Sequence, residues 1–186
     1  MAHTNARLIE TERLFLRLPR MEDAQALFSI YSDALTMRYI STGTRTYEQV
    51  RQQIASMIQT WEQQPWGTWA VTWKATSALI GTAGFVHAGE IGYIIDRAYW
   101  GRGIATEALQ ALLRYGFEHL GLDDIGAGAL KVNVASLRVI EKAGLHPVPN
   151  EFYDIHGGAY YQIERTAYQA SQASFRLHPV REGQTK

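Results

Sequence analysis

The sequence contains no cysteine in 186 residues. This absence excludes disulfide bonds, thiolate metal sites and a cysteine nucleophile, and it is compatible with a reducing compartment such as the cytoplasm. Lysine plus arginine and aspartate plus glutamate both number 18, so the formal net charge is zero. No overall field therefore favours nucleic acid or an anionic membrane surface. The six histidines lack metal-ligand spacing, and we expect no metal site.

Long hydrophobic stretches are also absent. No apolar run approaches the roughly 18–20 residues that span a bilayer, and the first residues lack the apolar core of a signal peptide. We therefore expect a cytoplasmic protein that binds neither membrane nor nucleic acid. A chain of 186 residues can form one domain that buries roughly 70% of its unfolded surface. We expect a single domain over residues 1–169 and a mobile tail over residues 170–186, where apolar periodicity is lost.

One stretch, residues 90–107, carries most of the functional information. It reads EIGYIIDRAYWGRGIATE. Alternation over residues 90–96 predicts a strand, and helical spacing of the apolar residues from Ile104 to Leu120 predicts an amphipathic helix. Gly101 and Gly103 lie between the two elements. Glycines ahead of a helix leave backbone N–H groups unshielded, and such a site suits an anion, especially a phosphate.

Two common phosphate-binding motifs do not account for this turn. The Walker pattern GxxxxGK[ST] does not occur, and the Rossmann pattern GxGxxG would need glycine where Thr106 stands. An ordinary tight turn is the alternative for a bare GxG. However, the segment from Trp100 to Ala105 resembles motif A of the GNAT N-acetyltransferases, [QR]xxGx[GA], which binds the pyrophosphate of acetyl-CoA. Tryptophan replaces the usual first residue, yet YWGxGxATEA resembles the branch that includes the ribosomal-protein N-terminal acetyltransferases.

The remaining pattern agrees with that resemblance. TERLFLR at residues 11–17, followed by EDA, is similar to the opening of the same branch. Periodicity and turn signals predict strands at residues 11–19, 68–73, 79–87, 90–96, 124–132, 145–155 and 159–169, and helices at residues 24–31, 46–64, 104–120 and 135–143. The order β-α-α-β-β-β-α-β-α-β-β is an α/β chain with a mixed sheet, and it resembles the GNAT fold over residues 8–168.

The resemblance implies how acetyl-CoA is held. In this family the central strands, here residues 90–96 and 124–132, splay apart, and pantetheine lies between them as an added strand. The residues implied to bind the cofactor are Ile94, Ile95, Asp96, Gly101, Arg102, Gly103, Ile104, Ala105 and Asn133. A strand N–H near Ile94 would polarise the thioester carbonyl. Arg102 would add charge or remain solvated. Asn133 lies in KVNVASLRVIEKAGL, which resembles a family signature, although a helix N-cap is its other interpretation.

The chemistry implied by the resemblance is direct attack of an amine on the acetyl thioester. Glu90 is the candidate general base, unless it is simply a charged residue that starts a strand. Many members of the family carry a tyrosine acid where this chain has Ile140, and the ribosomal-protein branch uses a serine that corresponds to Ser136. The implied partner is an amine, either a peptide N-terminus or a small molecule, and a homodimer is possible. The missing tyrosine leaves an acetyl-CoA-binding sensor as the alternative.

The acceptor end is expected among the N-terminal helices, the loop of residues 33–45 and the last hairpin. These regions carry aromatic and acidic residues that suit a cationic amine, although core packing is the other interpretation of most of the aromatics. They are Tyr39, Trp66, Trp69, Tyr153, Tyr160, Glu151 and Asp154.

Overall fold

A computed structural model describes the backbone of residues 8–176 and the side chains of residues 8–171. The strands are β1 Leu8–Glu10, β2 Leu14–Arg17, β3 Thr68–Trp73, β4 Leu79–His87, β5 Glu90–Ile95, β6 Asp124–Leu130, β7 His146–Val148 and β8 Gly158–Glu164. The α-helices are α1 Ala24–Tyr31, α2 Ala34–Met37, α3 Tyr47–Gln63, α4 Ile104–Tyr115, α5 Val134–Ala143, α6 Glu151–Ile155 and α7 Arg165–Arg176. A π-helical turn, Gly116–Leu120, continues α4.

The strands form one eight-stranded mixed sheet in the order β1-β2-β3-β4-β5-β6-β8-β7. Strands β1 to β5 are antiparallel neighbours, β5 and β6 are parallel, and β8 pairs antiparallel with both β6 and β7. Glu90 and Gly126 are the one pair recorded between β5 and β6. The two central strands therefore separate beyond Glu90, as the family resemblance implies, and a cleft opens in the middle of the sheet.

The two faces of the sheet pack against different helices. Ile91 and Ile95 of β5 join the larger core together with buried residues of α4. Ile94 projects from the opposite face and packs with the smaller cluster of α1 and α3. Helix α4 therefore lies on one face of β5, and helices α1 and α3 lie on the opposite face.

Several helix ends are fixed by local features. Thr46 and Gln49 form a capping box at the start of α3. Gly103 lies in the left-handed region with φ 74° as the N-cap of α4. Gly144 has φ 107° and ends α5. These residues work through the nearby backbone alone, so the sequence is sufficient to identify them.

The prediction of a strand over residues 145–155 is wrong beyond Val148. Strand β7 ends there, and helix α6 follows. Pro149 has no N–H to donate to a ladder, and the Asn150 side chain accepts a hydrogen bond from Tyr153 N, which starts a helical turn. The apolar spacing of this segment therefore belongs to a short helix.

The last predicted strand, residues 159–169, is also too long. Strand β8 ends at Glu164, and α7 continues to Arg176, so residues 170–176 of the predicted tail are helical. The Tyr168 ring is buried 4.8 Å from the ring of Phe117, and Arg165 donates to the Phe117 and Leu122 carbonyls. These contacts hold the start of α7 against the domain. Residues 177–186 of the tail lie outside the described residues.

Two short elements were not predicted from the sequence. Strand β1 pairs with β2 in a tight hairpin, where Thr11 N donates to Leu14 O at 3.0 Å. Helix α2 lies within the predicted loop and is capped by Asp33, which accepts from Thr36 N. Within residues 8–176, no helix is both long and apolar enough to cross a membrane.

Candidate active site

The main chain of β5 supplies hydrogen-bonding groups to the cleft. Asp96 N donates to Ile80 O at 2.8 Å. The main-chain N–H and C=O groups of the even-numbered residues of β5 are therefore directed toward β4. The alternation of the ladder then directs the main-chain groups of Tyr93 and Ile95 toward the cleft. Of the three residues predicted to meet pantetheine, Ile95 has its main chain in position, whereas the amides of Ile94 and Asp96 point to β4. Tyr93, which was not among the predicted residues, also has its main-chain groups directed toward the cleft.

The turn after β5 is a left-handed glycine loop. Gly101 has φ 73° and Gly103 has φ 74°, and a Cβ atom at Gly101 would meet nothing within 4 Å. Trp100, at the atypical first position of the motif, donates its indole N–H to Ile95 O at 2.7 Å and fastens the loop to the end of β5.

Helix α4 presents free donors at its start. Its first bond runs from Glu107 N to Gly103 O, so the amides of Ile104 and Ala105 precede the helical ladder. Ile104 itself is buried, whereas Gly101, Arg102 and Gly103 are exposed. The Arg102 guanidinium lies 5.5 Å from the centre of the Tyr99 ring. These features give the predicted phosphate turn an accessible main chain with the αL geometry that anion sites use.

The glycine loop is joined to the N-terminal motif by a hydrogen-bonded network. The Glu107 carboxylate accepts from Thr11 Oγ1 at 2.5 Å, Arg13 N at 2.8 Å and Arg13 Nε at 2.6 Å. Arg13 also donates through Nη1 to Arg102 O at 2.8 Å. Burial alone would raise the pKa of Glu107, but the bonds from Thr11 and Arg13 together outweigh it and lower that pKa. The two motifs that resemble the family are thus in direct contact.

Glu90 lies at the closed end of the cleft, where β5 and β6 are still paired. Its Oε1 accepts a hydrogen bond from the Tyr153 hydroxyl at 2.7 Å. Burial is the main reason that the pKa of Tyr153 rises well above its ordinary value, and the neighbouring Glu90 raises it further. Tyr153 therefore stays protonated and holds one oxygen of the carboxylate, while no bond is recorded to Oε2 among the described residues.

The glycines of β6 explain how Tyr153 reaches Glu90. A Cβ at Gly128 would lie 2.1 Å from Tyr153 Cε1, and a Cβ at Gly126 would lie 2.0 Å from the Tyr160 hydroxyl. The Tyr153 and Tyr160 rings are 5.0 Å apart. The glycines of β6 therefore leave room for the rings of Tyr153 and Tyr160 to pack directly against the strand beside Glu90.

Ser136 occupies the opposite side of the cleft. Its Oγ accepts from the Tyr93 hydroxyl at 3.1 Å and from Asn133 Nδ2 at 2.9 Å. Two incoming donors leave the serine hydrogen available for a third partner. Asn133 is indeed the N-cap of α5, since its Oδ1 accepts from Ser136 N at 3.3 Å. Ile140, which stands where many members of the family have a tyrosine, is 2% exposed and belongs to the hydrophobic core.

The two candidate catalytic residues approach the cleft from different faces. Glu90 and Tyr93 are three positions apart on β5, so their side chains point to opposite sides of the sheet. Tyr93 donates to Ser136 on the face covered by α4 and α5, whereas Glu90 contacts Tyr153 on the other face. A group lying between β5 and β6 would thus meet a base from one side and a hydrogen-bond donor from the other.

The other predicted acceptor residues divide between core and surface. Trp69 is fully buried, and Trp66 packs against the core, so both are structural. Tyr39 lies 4.5 Å from the Arg38 guanidinium. The remaining acidic pair is on α6: Glu151 is exposed, and Asp154 forms an ion pair with Lys131 at 3.1 Å. The part of the chain that the structure describes contains no cluster of three or more potential metal ligands.

Known proteins share this sequence and architecture. The family described as "Acetyltransferase (GNAT) domain" matches residues 13–146. An uncharacterized N-acetyltransferase, YoaA of Bacillus subtilis, is 38% identical over 148 residues, which cover 74% of this chain and 81% of YoaA.

Solved structures show the same fold. A GNAT acetyltransferase from Bacillus anthracis has a TM-score of 0.76 at 27% identity, over 86% of this chain and 99% of that one. RimL, a ribosomal L7/L12 alpha-N-protein acetyltransferase crystallised with coenzyme A, has a TM-score of 0.73 at 17% identity, over 84% of this chain and 97% of RimL. Sequence match and architecture agree: this chain belongs to the GNAT family and is an acetyl-CoA-dependent N-acetyltransferase.

Proposed function

We propose that this enzyme moves the acetyl group directly from acetyl-CoA to a primary amine, with no covalent enzyme intermediate. The observation that carries the proposal is the cleft between β5 and β6, with Glu90 held by Tyr153 on one face and Ser136 held by Tyr93 on the other. The absence of cysteine is compatible with a direct transfer.

The cofactor would bind largely through main-chain groups. Pantetheine would add to β5 as an extra strand on the groups of Tyr93 and Ile95, a mode in which backbone hydrogen bonds provide affinity. The diphosphate would lie on the amides of residues 101–105, at the positive end of α4. Asn133 would contribute by orienting Ser136 beside the thioester.

The chemical step then follows from the two faces of the cleft. The amine nitrogen attacks the thioester carbonyl, a C–N bond forms, and the C–S bond breaks. Glu90 takes the proton that the amine must lose, directly or through water. The Ser136 hydroxyl donates a hydrogen bond to the departing sulfur. A thiol pKa near 8.5 means that releasing a thiolate at pH 7 costs only about 2 kcal/mol more than releasing a thiol, so this bond is sufficient assistance.

The favoured acceptor is an α-amine. An α-amine with a pKa near 8 is roughly one-tenth unprotonated at pH 7, whereas a lysine amine is below a thousandth, so a modest base serves the former far better. RimL, a ribosomal L7/L12 alpha-N-protein acetyltransferase, has the same fold. Small-molecule amines are the second candidate, because Glu90 and the two tyrosine rings recognise an amine without requiring a peptide backbone.

The decisive experiment is a turnover assay, read by CoA release, with N-terminal peptides, small primary amines and no acceptor. We expect transfer to at least one α-amine, and we expect Glu90→Gln to lower kcat most at low pH while leaving acetyl-CoA affinity unchanged. A pH–rate profile equal to the wild type's would remove Glu90 from this role. Tight acetyl-CoA binding with no transfer to any acceptor would favour the sensor alternative.

A further inference from the structure

Arg13 lies far from the glycine loop in sequence and touches it in space. Arg13 Nη1 donates to Arg102 O at 2.8 Å, and Nη2 lies 3.4 Å from the position of a Cβ on Gly103. Its Nε and its main-chain N are both bonded to the Glu107 carboxylate. The guanidinium therefore bridges the loop and the first turn of α4.

This bridge fixes the direction of one peptide unit. In a planar trans peptide the C=O and the following N–H point in opposite directions. Because the Arg102 carbonyl is held toward Arg13, the Gly103 N–H is directed away from Arg13 and out of the loop. We propose that Arg13 is a positioning residue for cofactor binding, which orients the Gly103 amide toward the diphosphate.

The charge balance supports orientation as the mechanism. The Glu107 carboxylate, whose side chain is 15% exposed, pairs with Arg13 and neutralises it. Arg13 thus adds little net charge to the anion site. Glu107 is in turn held by Thr11, so the strand motif of residues 11–17 fastens both partners at once. The inference rests on the proposed diphosphate site, and it explains why two separate motifs meet at this point.

The test is Arg13→Lys, with binding measured by isothermal titration calorimetry. Lysine keeps the positive charge and can still pair with Glu107. However, one ammonium group cannot replace the planar guanidinium, which donates to the Glu107 carboxylate and the Arg102 carbonyl at the same time. We expect affinity for CoA and for 3′-dephospho-CoA to fall by the same factor, roughly tenfold or more, as for a lost bond to a charged group. Inhibition by pantetheine, which has no phosphate, should not change.

Arg17→Lys is the matched control. Arg17 is the last residue of β2, the strand that Arg13 immediately precedes, and it pairs with the Asp23 carboxylate at 2.6 Å, away from the loop. Both variants should lose thermal stability, and only Arg13→Lys should lose diphosphate affinity. If Arg13→Lys folds poorly, Glu107→Asp provides a second variant, which keeps the charge balance but shortens the side chain that holds Arg13, and it should show the same ligand pattern with a smaller loss.

The remaining outcomes overturn the inference in distinguishable ways. Loss of affinity for CoA but not for 3′-dephospho-CoA would mean that Arg13 contacts the 3′-phosphate itself. Equal affinity losses in the Arg13 and Arg17 variants, in proportion to their melting temperatures, would mean a purely structural pair. A wild-type protein that binds no CoA would remove the proposed diphosphate site, and the inference with it.

Discussion

Three residues in or beside the proposed site depend on a partner far away in the chain. Glu90 is held by a tyrosine 63 residues later, Ser136 by one 43 residues earlier, and Glu107 by an arginine 94 residues earlier. A short motif identifies one member of each pair. The partner is brought into contact only by the folded sheet, and it sets the orientation of the hydroxyl, carboxylate or amide that the proposed mechanism uses.

The Ser136 pair yields a prediction at this scale. Ser136→Ala should lower kcat by roughly ten- to a hundredfold with little change in KM for acetyl-CoA, because a hydrogen bond to a charged group contributes about 1.5–3 kcal/mol. Burial raises the pKa of Tyr93, so its phenol remains protonated at neutral pH and donates to Ser136. Tyr93→Phe should therefore have a smaller effect in the same direction. Steady-state kinetics with a fixed acceptor measures both.

A selenium analogue of acetyl-CoA separates this role from a structural one. A selenolate is a more stable leaving group than a thiolate and needs less help from a donor. The defects of both variants should shrink with the analogue. A defect of equal size with sulfur and selenium donors would contradict a role for Ser136 at the leaving atom.

At the scale of elements, the loop between β5 and α4 depends on a backbone conformation. Gly103 has φ 74°, a region that a β-branched residue rarely adopts, whereas its Cβ would meet only Arg13 Nη2 at 3.4 Å. Gly103→Val should thus displace the loop through backbone strain and weaken CoA binding more than tenfold, by the loss of about one charged hydrogen bond or more. Calorimetry with CoA measures the effect.

The opposite end of the same helical segment offers a control. Gly121, with φ 69°, ends the π-helical turn, and a Cβ there would meet only Arg165 Nη2 at 4.0 Å. Gly121→Val imposes similar strain without touching the proposed cofactor site. Normal CoA affinity in Gly103→Val, or an equal loss in Gly121→Val, would remove the loop from the phosphate site.

Elements with strong local signals were the ones the sequence could predict. The alternation of β3 to β5, the apolar face of α4 and the Asn133 cap of α5 depend on neighbouring residues, and the structure confirms them. Helices α6 and α7 were mistaken for strands because short apolar runs fit either period. Their identity is decided by the Asn150 cap and by contacts between Tyr168 and Phe117, which are visible only after folding.

The candidate site divides in the same way. The glycine turn, Glu90, Asn133 and Ser136 were predicted as site residues with the help of the resemblance to the family. Tyr93 and Arg13 were missed as site residues because each lies in an ordinary strand pattern and acquires its role through one long-range bond. The alternating glycines of β6 were the available signal for Tyr153 and Tyr160, since a strand that lacks Cβ atoms on one face leaves room for large rings.

At the scale of the whole molecule, most tyrosine side chains are at least partly buried. Burial is the largest cause of a raised pKa at seven tyrosines on both faces of the sheet. They are Tyr31, Tyr93, Tyr115, Tyr153, Tyr160, Tyr161 and Tyr168. Folding therefore favours neutral phenols throughout the domain, and we expect the fold to be sensitive to alkali.

Tyr31 allows a quantitative version of this prediction. Burial raises the pKa of Tyr31 to about 12, against an ordinary value of 10.0. Below pH 10 both folded and unfolded states keep the proton, so the full stabilisation is present. Between pH 10 and about 12 the unfolded chain releases the proton first, and the free energy of unfolding falls by up to about 1.4 kcal/mol per pH unit from this group.

Urea unfolding at pH 8, 10 and 11 measures that slope. Tyr31→Phe loses the 2.6 Å bond between the Tyr31 and Thr82 hydroxyls and should be less stable at pH 8 by about 1 kcal/mol, but its stability should fall less steeply above pH 10. Tyr47→Phe removes the phenol of a residue that is 42% exposed, and it is the control. If wild type, Tyr31→Phe and Tyr47→Phe lose stability at the same rate, then Tyr31 ionises as readily in the folded protein as in the unfolded chain, and burial of its phenol does not govern the alkaline limit.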